Sequence, residues 1–95
     1  MAKQPSEICI ITVTGVDKVG IIAELACAMA RENINIIDVN QRIMESFFVM
    51  TMAADFSKAT KSLETMKKRL DTLAKKMRLN ITLQNEQIFE AIHRI

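Results

Sequence analysis

Tryptophan and tyrosine are absent from this 95-residue chain, and phenylalanine occurs four times. Surfaces that read RNA by stacking its bases need exposed aromatic rings, so this composition weighs against such a surface. Histidine occurs once, at His93, far in sequence from both thiols, which leaves no nucleophile–base pair to build on. His93 is expected on the surface near a helix end. Only Cys9 and Cys27 carry thiols. With no C-x-x-C spacing and no further partners they form neither a disulfide framework nor a soft-metal site, and both are expected as small buried hydrophobes in a reducing compartment. No apolar run approaches the roughly 18 residues of a membrane span, and M-A-K-Q-P at the start has no apolar core behind it. A cytoplasmic protein without a membrane partner is the expectation. The net charge of +2 is too small to argue for nucleic acid by itself.

What remains is a composition of 49% hydrophobic and 25% charged residues, ordinary for one globular domain. Residues 8–15 (I-C-I-I-T-V-T-G) form a β-branched run ending in glycine, a strand apolar on both faces near its start. The bend Val16-Asp17-Lys18-Val19-Gly20 follows, and its flanking glycines, Gly15 and Gly20, are the only two in the chain. Residues 20–32 place Ile22, Leu25, Ala26 and Met29 at helical spacing. Asn33-Ile34-Asn35 ends that helix, since asparagine tolerates the left-handed conformation. Residues 36–43 read as a strand with Ile37, Val39 and Ile43 on one face and Asp38, Asn40 and Arg42 on the other. Met44-Glu45-Ser46 is a hairpin-length link to a third strand over residues 47–55, which is apolar on both faces.

Residues 60–77 carry Leu63, Met66, Leu70, Leu73 and Met77 in a stripe that suits a helix packed on a sheet. Residues 80–84 form a short fourth strand. Asn85 then caps a last helix bearing Ile88, Phe89, Ala91, Ile92 and Ile95. The order divides the chain into a tail (1–7), a domain (8–84) and a terminal helix (85–95). It predicts an α+β fold: a ferredoxin-like βαββαβ sandwich with a four-stranded antiparallel sheet and an extra C-terminal helix. The second face of the sheet then needs a cover, from the terminal helix or from a second subunit.

Such folds host many activities, so function must come from side chains. The first turn has no cysteine for a soft-metal carrier. It has no arginine to clamp a phosphate, Lys18 being its one cation. If the helix opens at Val19 or Gly20, its free N–H groups point into the turn and favour a carboxylate or phosphate, with Gly20 leaving the approach clear. The plainer alternative is a strand-to-helix turn that binds nothing. Residues 58–78 hold eight basic and two acidic side chains, an excess of +6 against −4 on the rest of the chain. That is either the solvated back of an amphipathic helix or an electropositive face for nucleic acid or an acidic partner, and the first reading is preferred.

The segment T-G-V-D-K-V-G-I-I-A, from Thr14 to Ala23, resembles the strand-to-helix signature of ACT domains. N-I-N-I-I-D-V-N-Q, from Asn33 to Gln41, resembles the segment entering their second strand. The ending Q-I-F-E-A-I-H-R-I, from Gln87 to Ile95, is similar to small stand-alone ACT proteins of the UPF0237 group, relatives of the domains of the glycine cleavage system transcriptional repressor. The resemblance implies a non-enzymatic regulatory module that binds a small molecule, an amino acid above all, at the interface of a homodimer whose sheets join side by side. It implies ligand contacts from Gly15, Val16, Asp17, Lys18, Val19 and Gly20 of one subunit and from Asn35 at the start of the second strand of its neighbour. The Asn35 amide can donate to a carboxylate and accept from an ammonium. Serine-sensing relatives carry histidine where this chain has Gly15 and asparagine where it has Asp17, and Val19 replaces a frequent proline. An ionised Asp17 accepts hydrogen bonds only, so it suits an ammonium. No cofactor, metal or catalytic residue is implied. The alternative is a structural module that docks a protein partner through the terminal helix and binds no small molecule.

Overall fold

The β-branched run at the start becomes the central strand of the sheet. The computed structural model describes residues 7–93, His93 by its backbone alone. The elements are β1 (Ile8–Val16), α1 (Ile21–Arg31), β2 (Asn35–Met44), β3 (Phe47–Asp55), α2 (Leu63–Met77), β4 (Leu79–Asn85) and α3 (Glu86–His93). All pairings are antiparallel in the order β2-β3-β1-β4. This is the expected ferredoxin-like βαββαβ plan with an extra C-terminal helix. The tail before Glu7, the side chain of His93, and Arg94 and Ile95 lie outside the described residues.

Period-two alternation sorts the strands into a helix-covered face and an open one. Cys9, Ile11 and Val13 of β1, Phe48, Met50, Met52 and Ala54 of β3, and Ile81 and Leu83 of β4 are buried in one cluster with Ile21, Leu25 and Met29 of α1 and Met66, Leu70 and Leu73 of α2. The stripe expected for α2 is borne out. Its start is later than expected, at Leu63, because the Ser62 hydroxyl caps the helix by accepting from the Thr65 N–H at 3.2 Å. Thr60 instead joins the end of α1, its N–H donating to the Glu32 carbonyl and its hydroxyl to the Glu32 carboxylate.

The stripe of α1 is shifted from the expected one. Ile21, Leu25 and Met29 are buried while Ile22 is 41% exposed, since the stripe runs from the first helical residue at spacing four. The same rotation corrects the expectation for Cys27. Two residues from both Leu25 and Met29, it lies about 200° round the helix from the core and is exposed, whereas Cys9 is buried as expected. Asn33 takes the expected left-handed conformation, with φ of 58°. Glu45 does so at φ of 61° in the two-residue β2–β3 connection.

The sheet order makes β2 an edge strand, with a bulge between Ile36 and Asp38. On it Ile37, Val39 and Ile43 are all more than 40% exposed. At the other end of the chain the Asn85 carboxamide caps α3, accepting from the Gln87 N–H at 2.9 Å. The helix packs on β1 and β4 but leaves Ile88 and Ile92 exposed.

Candidate ligand site

The two glycines flanking the first turn serve different physical needs. A Cβ on Gly15 would stand 2.7 Å from Leu79 Cδ2 and 3.4 Å from the Arg78 carbonyl oxygen, so Gly15 lets β1 approach β4. Gly20 faces open space but has φ of 94° and ψ of 0°, a conformation costly to residues with a Cβ. It is the N-cap of α1, and among the described residues no side chain caps the N–H groups of the first turn. Those donors and the positive end of the helix dipole therefore face the space above Gly20.

The turn is held from both sides. The Asp17 N–H donates to the Ser46 carbonyl at 2.8 Å, which ties it to the β2–β3 connection and leaves the Asp17 side chain exposed. The Lys18 ammonium donates to the Met77 carbonyl, where a cation offsets the negative end of α2. Val16 is 57% and Val19 99% exposed.

Beside the turn is a depression of about 230 Å³ lined by Asp17, Lys18, Gly20 and the first three residues of α1, with Gln41, Ile43 and Phe48 across from them. Register places Val39, Gln41 and Ile43 opposite Met52, Met50 and Phe48, so β2 turns these three side chains toward the helical layer. Sequence spacing assigns none of Ile22, Gln41, Ile43 and Phe48 to this site. A signal existed for Gln41, because alternation puts it between Val39 and Ile43 on an otherwise apolar side.

Asn35 is not brought to this depression within one chain. It pairs with Asp55 at one end of β2, whereas Met44 pairs with Phe47 at the end beside the turn. Nine residues of extended strand separate them by about 30 Å. Among the described residues no three His, Cys, Asp or Glu side chains gather as a metal site. No helix among them is long and apolar enough to cross a membrane.

Comparison with known proteins agrees with this architecture. The family model for the ACT domain matches residues 7–84. A UPF0237 protein of Neisseria meningitidis serogroup A is 41% identical over 86 residues, 90% of this chain and 96% of the relative. One from Methanococcus maripaludis is 41% identical with the same coverage. An ACT domain protein from Streptococcus pneumoniae superposes with a TM-score of 0.76 at 27% identity, covering 90% of this chain and 96% of that one. A candidate glycine cleavage system transcriptional repressor superposes at 0.71 with 22% identity, covering 81% of this chain and 44% of that one, a likeness of fold alone. ACT domains are a family of regulatory small-ligand-binding domains. With the matching fold, the family match and these relatives along most of its length, this chain belongs to the ACT domain family and, within it, to the UPF0237 group.

Proposed function

We propose that the chain is a non-enzymatic, cytoplasmic regulatory protein that captures a small amino acid between the first turn of one subunit and β2 of a second. One observation carries the reading: the uncapped N-terminus of α1 opens onto a small, partly apolar depression bordered by an exposed edge strand. The α1 N–H groups suit a ligand carboxylate. Asp17 suits its ammonium, and Ile43 and Phe48 offer an apolar wall for a short side chain.

The second subunit answers two needs. Exposed Val39 and Ile43 on an unpaired edge invite pairing with another strand. A two-fold axis through the middle of β2 makes that pairing antiparallel. Asn35 of the partner subunit then lies at the Met44 end, near the turn from which Asn35 of the same chain is about 30 Å away. A ligand there shifts the dimer equilibrium by its differential affinity for the paired state.

The test is thermal unfolding against the twenty amino acids at millimolar concentration, followed by the hit on Asp17→Ala and Asn35→Ala. A ligand at about 100 times its Kd adds roughly 2.7 kcal/mol, which is several degrees for a domain this size. Both variants should lose the shift while unfolding normally without ligand, and sedimentation should show a concentration-dependent dimer. A flat panel, or undiminished shifts in both variants, refutes the site.

Exposed Ile88 and Ile92 on α3 favour a second reading, a module that docks a protein through that helix. Deleting residues 86–95 separates the two: ligand binding persists in the first case, and partner binding disappears in the second.

A further inference from the structure

The helical layer carries a second concavity, away from the first turn. A groove of about 460 Å³ runs between α1 and α2, with Leu73 and Ala28 on its floor and Arg31, Arg69 and Lys76 along its walls. Glu24 approaches Lys76 at 3.9 Å, and Glu32, at the far end of α1, meets Arg69 at 2.7 Å. The helices are therefore antiparallel. From Glu24 to Arg31 the groove follows about 10 Å of α1, or two turns.

Its charge is poorly compensated. Glu32, the buried charged residue of the fold, accepts from Arg69 Nη1 and from the Thr60 hydroxyl, which fixes the guanidinium at the groove. That contact uses one of five guanidinium donors, and the Arg69 side chain remains 45% exposed. The Glu24–Lys76 pair is long and solvent-exposed on both sides, so it neutralises little. Arg31 makes no ion pair among the described residues. Lys68 and Lys75 are exposed on the same helix as Arg69 and Lys76. Of the eight basic residues between 58 and 78, Arg69 and Lys76 line the groove with Arg31 of α1, and the others lie outside its lining.

We propose that this groove docks an acidic amphipathic helix of a partner protein. Apolar residues one turn apart on that helix would cover Leu73 and Ala28, and flanking carboxylates would meet Arg31, Arg69 and Lys76. The groove is two turns long, with its apolar floor midway between basic ends, and that suits a short helix. No aromatic ring lines the groove for a base to stack on. The α1 helix links the two sites, its N-terminus bordering the first-turn depression and its Glu24–Arg31 flank walling the groove. The docking surface does not depend on the first turn binding a ligand.

The probe is a fluorescein-labelled synthetic helix of Glu, Ala and Leu, with leucines one turn apart. Its charge-reversed Lys counterpart and a DNA duplex serve as competitors, and binding is read by fluorescence anisotropy on the full chain. The acidic helix should bind, lose affinity with added salt, and perturb backbone amides of α1 and α2. In R31E/K76E, checked for native unfolding, affinity should fall about tenfold or more, whereas K67E, exposed on α2 outside the groove lining, should stay within about twofold. Failure of the acidic helix to bind, tighter binding of the duplex, or an equal loss in K67E overturns the proposal. The amino-acid panel reads the other site, so either reading can fail while the other stands.

Discussion

Replacing Arg69 by alanine leaves the Glu32 carboxylate with only the Thr60 hydroxyl as a side-chain partner. Glu32 is 7% exposed and the Arg69 side chain 45%, so the pair sits between two regimes. Breaking a fully buried pair costs about 3–5 kcal/mol because a charge is stranded, whereas an exposed pair contributes about 0.2–1 kcal/mol. With nearly half of the Arg69 side chain already in water, and water able to follow its removal, the expected cost is about 1.5–2.5 kcal/mol. At roughly 4–8 °C per kcal/mol for a domain this size, that is a fall in Tm of roughly 6–20 °C. Thermal and urea unfolding of the wild type, Arg69→Ala, Glu32→Gln and the double variant form a cycle. Neutralising Glu32 removes the stranded charge, so the double variant should fall short of the sum of the singles by about 1 kcal/mol or more. If Arg69→Ala stays within about 0.5 kcal/mol of wild type, or the two effects simply add, the carboxylate does not depend on the arginine as argued.

Gly20→Ala should destabilise by about 1–2 kcal/mol through its positive φ alone, since nothing crowds the added Cβ. Gly20→Asn should cost less in the same urea titration, and equal costs would show that φ is not the cause. With a thiol reagent, native protein should present one fast thiol, Cys27. Cys9, buried and with its pKa raised by that burial, should react only on unfolding. Two fast thiols, or a fast thiol remaining in Cys27→Ser, would contradict this. The Asp55 carboxyl is held below the usual carboxylate range by the Ser57 backbone N–H, donating at 2.8 Å, and by the Ser57 side chain. A depressed folded pKa gives stability that is present at neutral pH and lost as pH falls through it. Asp55→Asn should flatten the acid limb of the stability profile by that share, and an ordinary Asp55 midpoint in an NMR titration would refute the assignment.

The sheet and helices were legible because their signals are local. The α2 stripe from Leu63 to Met77 and the two faces of β3 follow from periods of 3.6 and 2, and both are found as read. Errors arose where a one-residue change of phase matters. Helical spacing in α1 fits a stripe through Ile22 as well as the one the fold buries through Ile21, and the buried phase turns Cys27 outward. At the candidate site, the bend from Gly15 to Gly20 stood out because it holds both glycines. Gln41, Ile43 and Phe48 did not, since they reach the depression only when β2 and β3 pair beside α1.

The order of residues alone determined the succession of elements, the buried stripe of α2, the glycine-flanked first turn and the ACT signature. Each is written in spacings shorter than one element. Tertiary structure decided that β2 is an edge with exposed apolar residues and that Asn35 lies at the far end of that edge from the turn. It also decided that Gly15 answers to Leu79, that Lys18 caps α2, and that Glu32 from one helix fixes Arg69 on another. These contacts join residues tens of positions apart, and no local period can specify which of them meet once burial of the apolar faces has closed the fold.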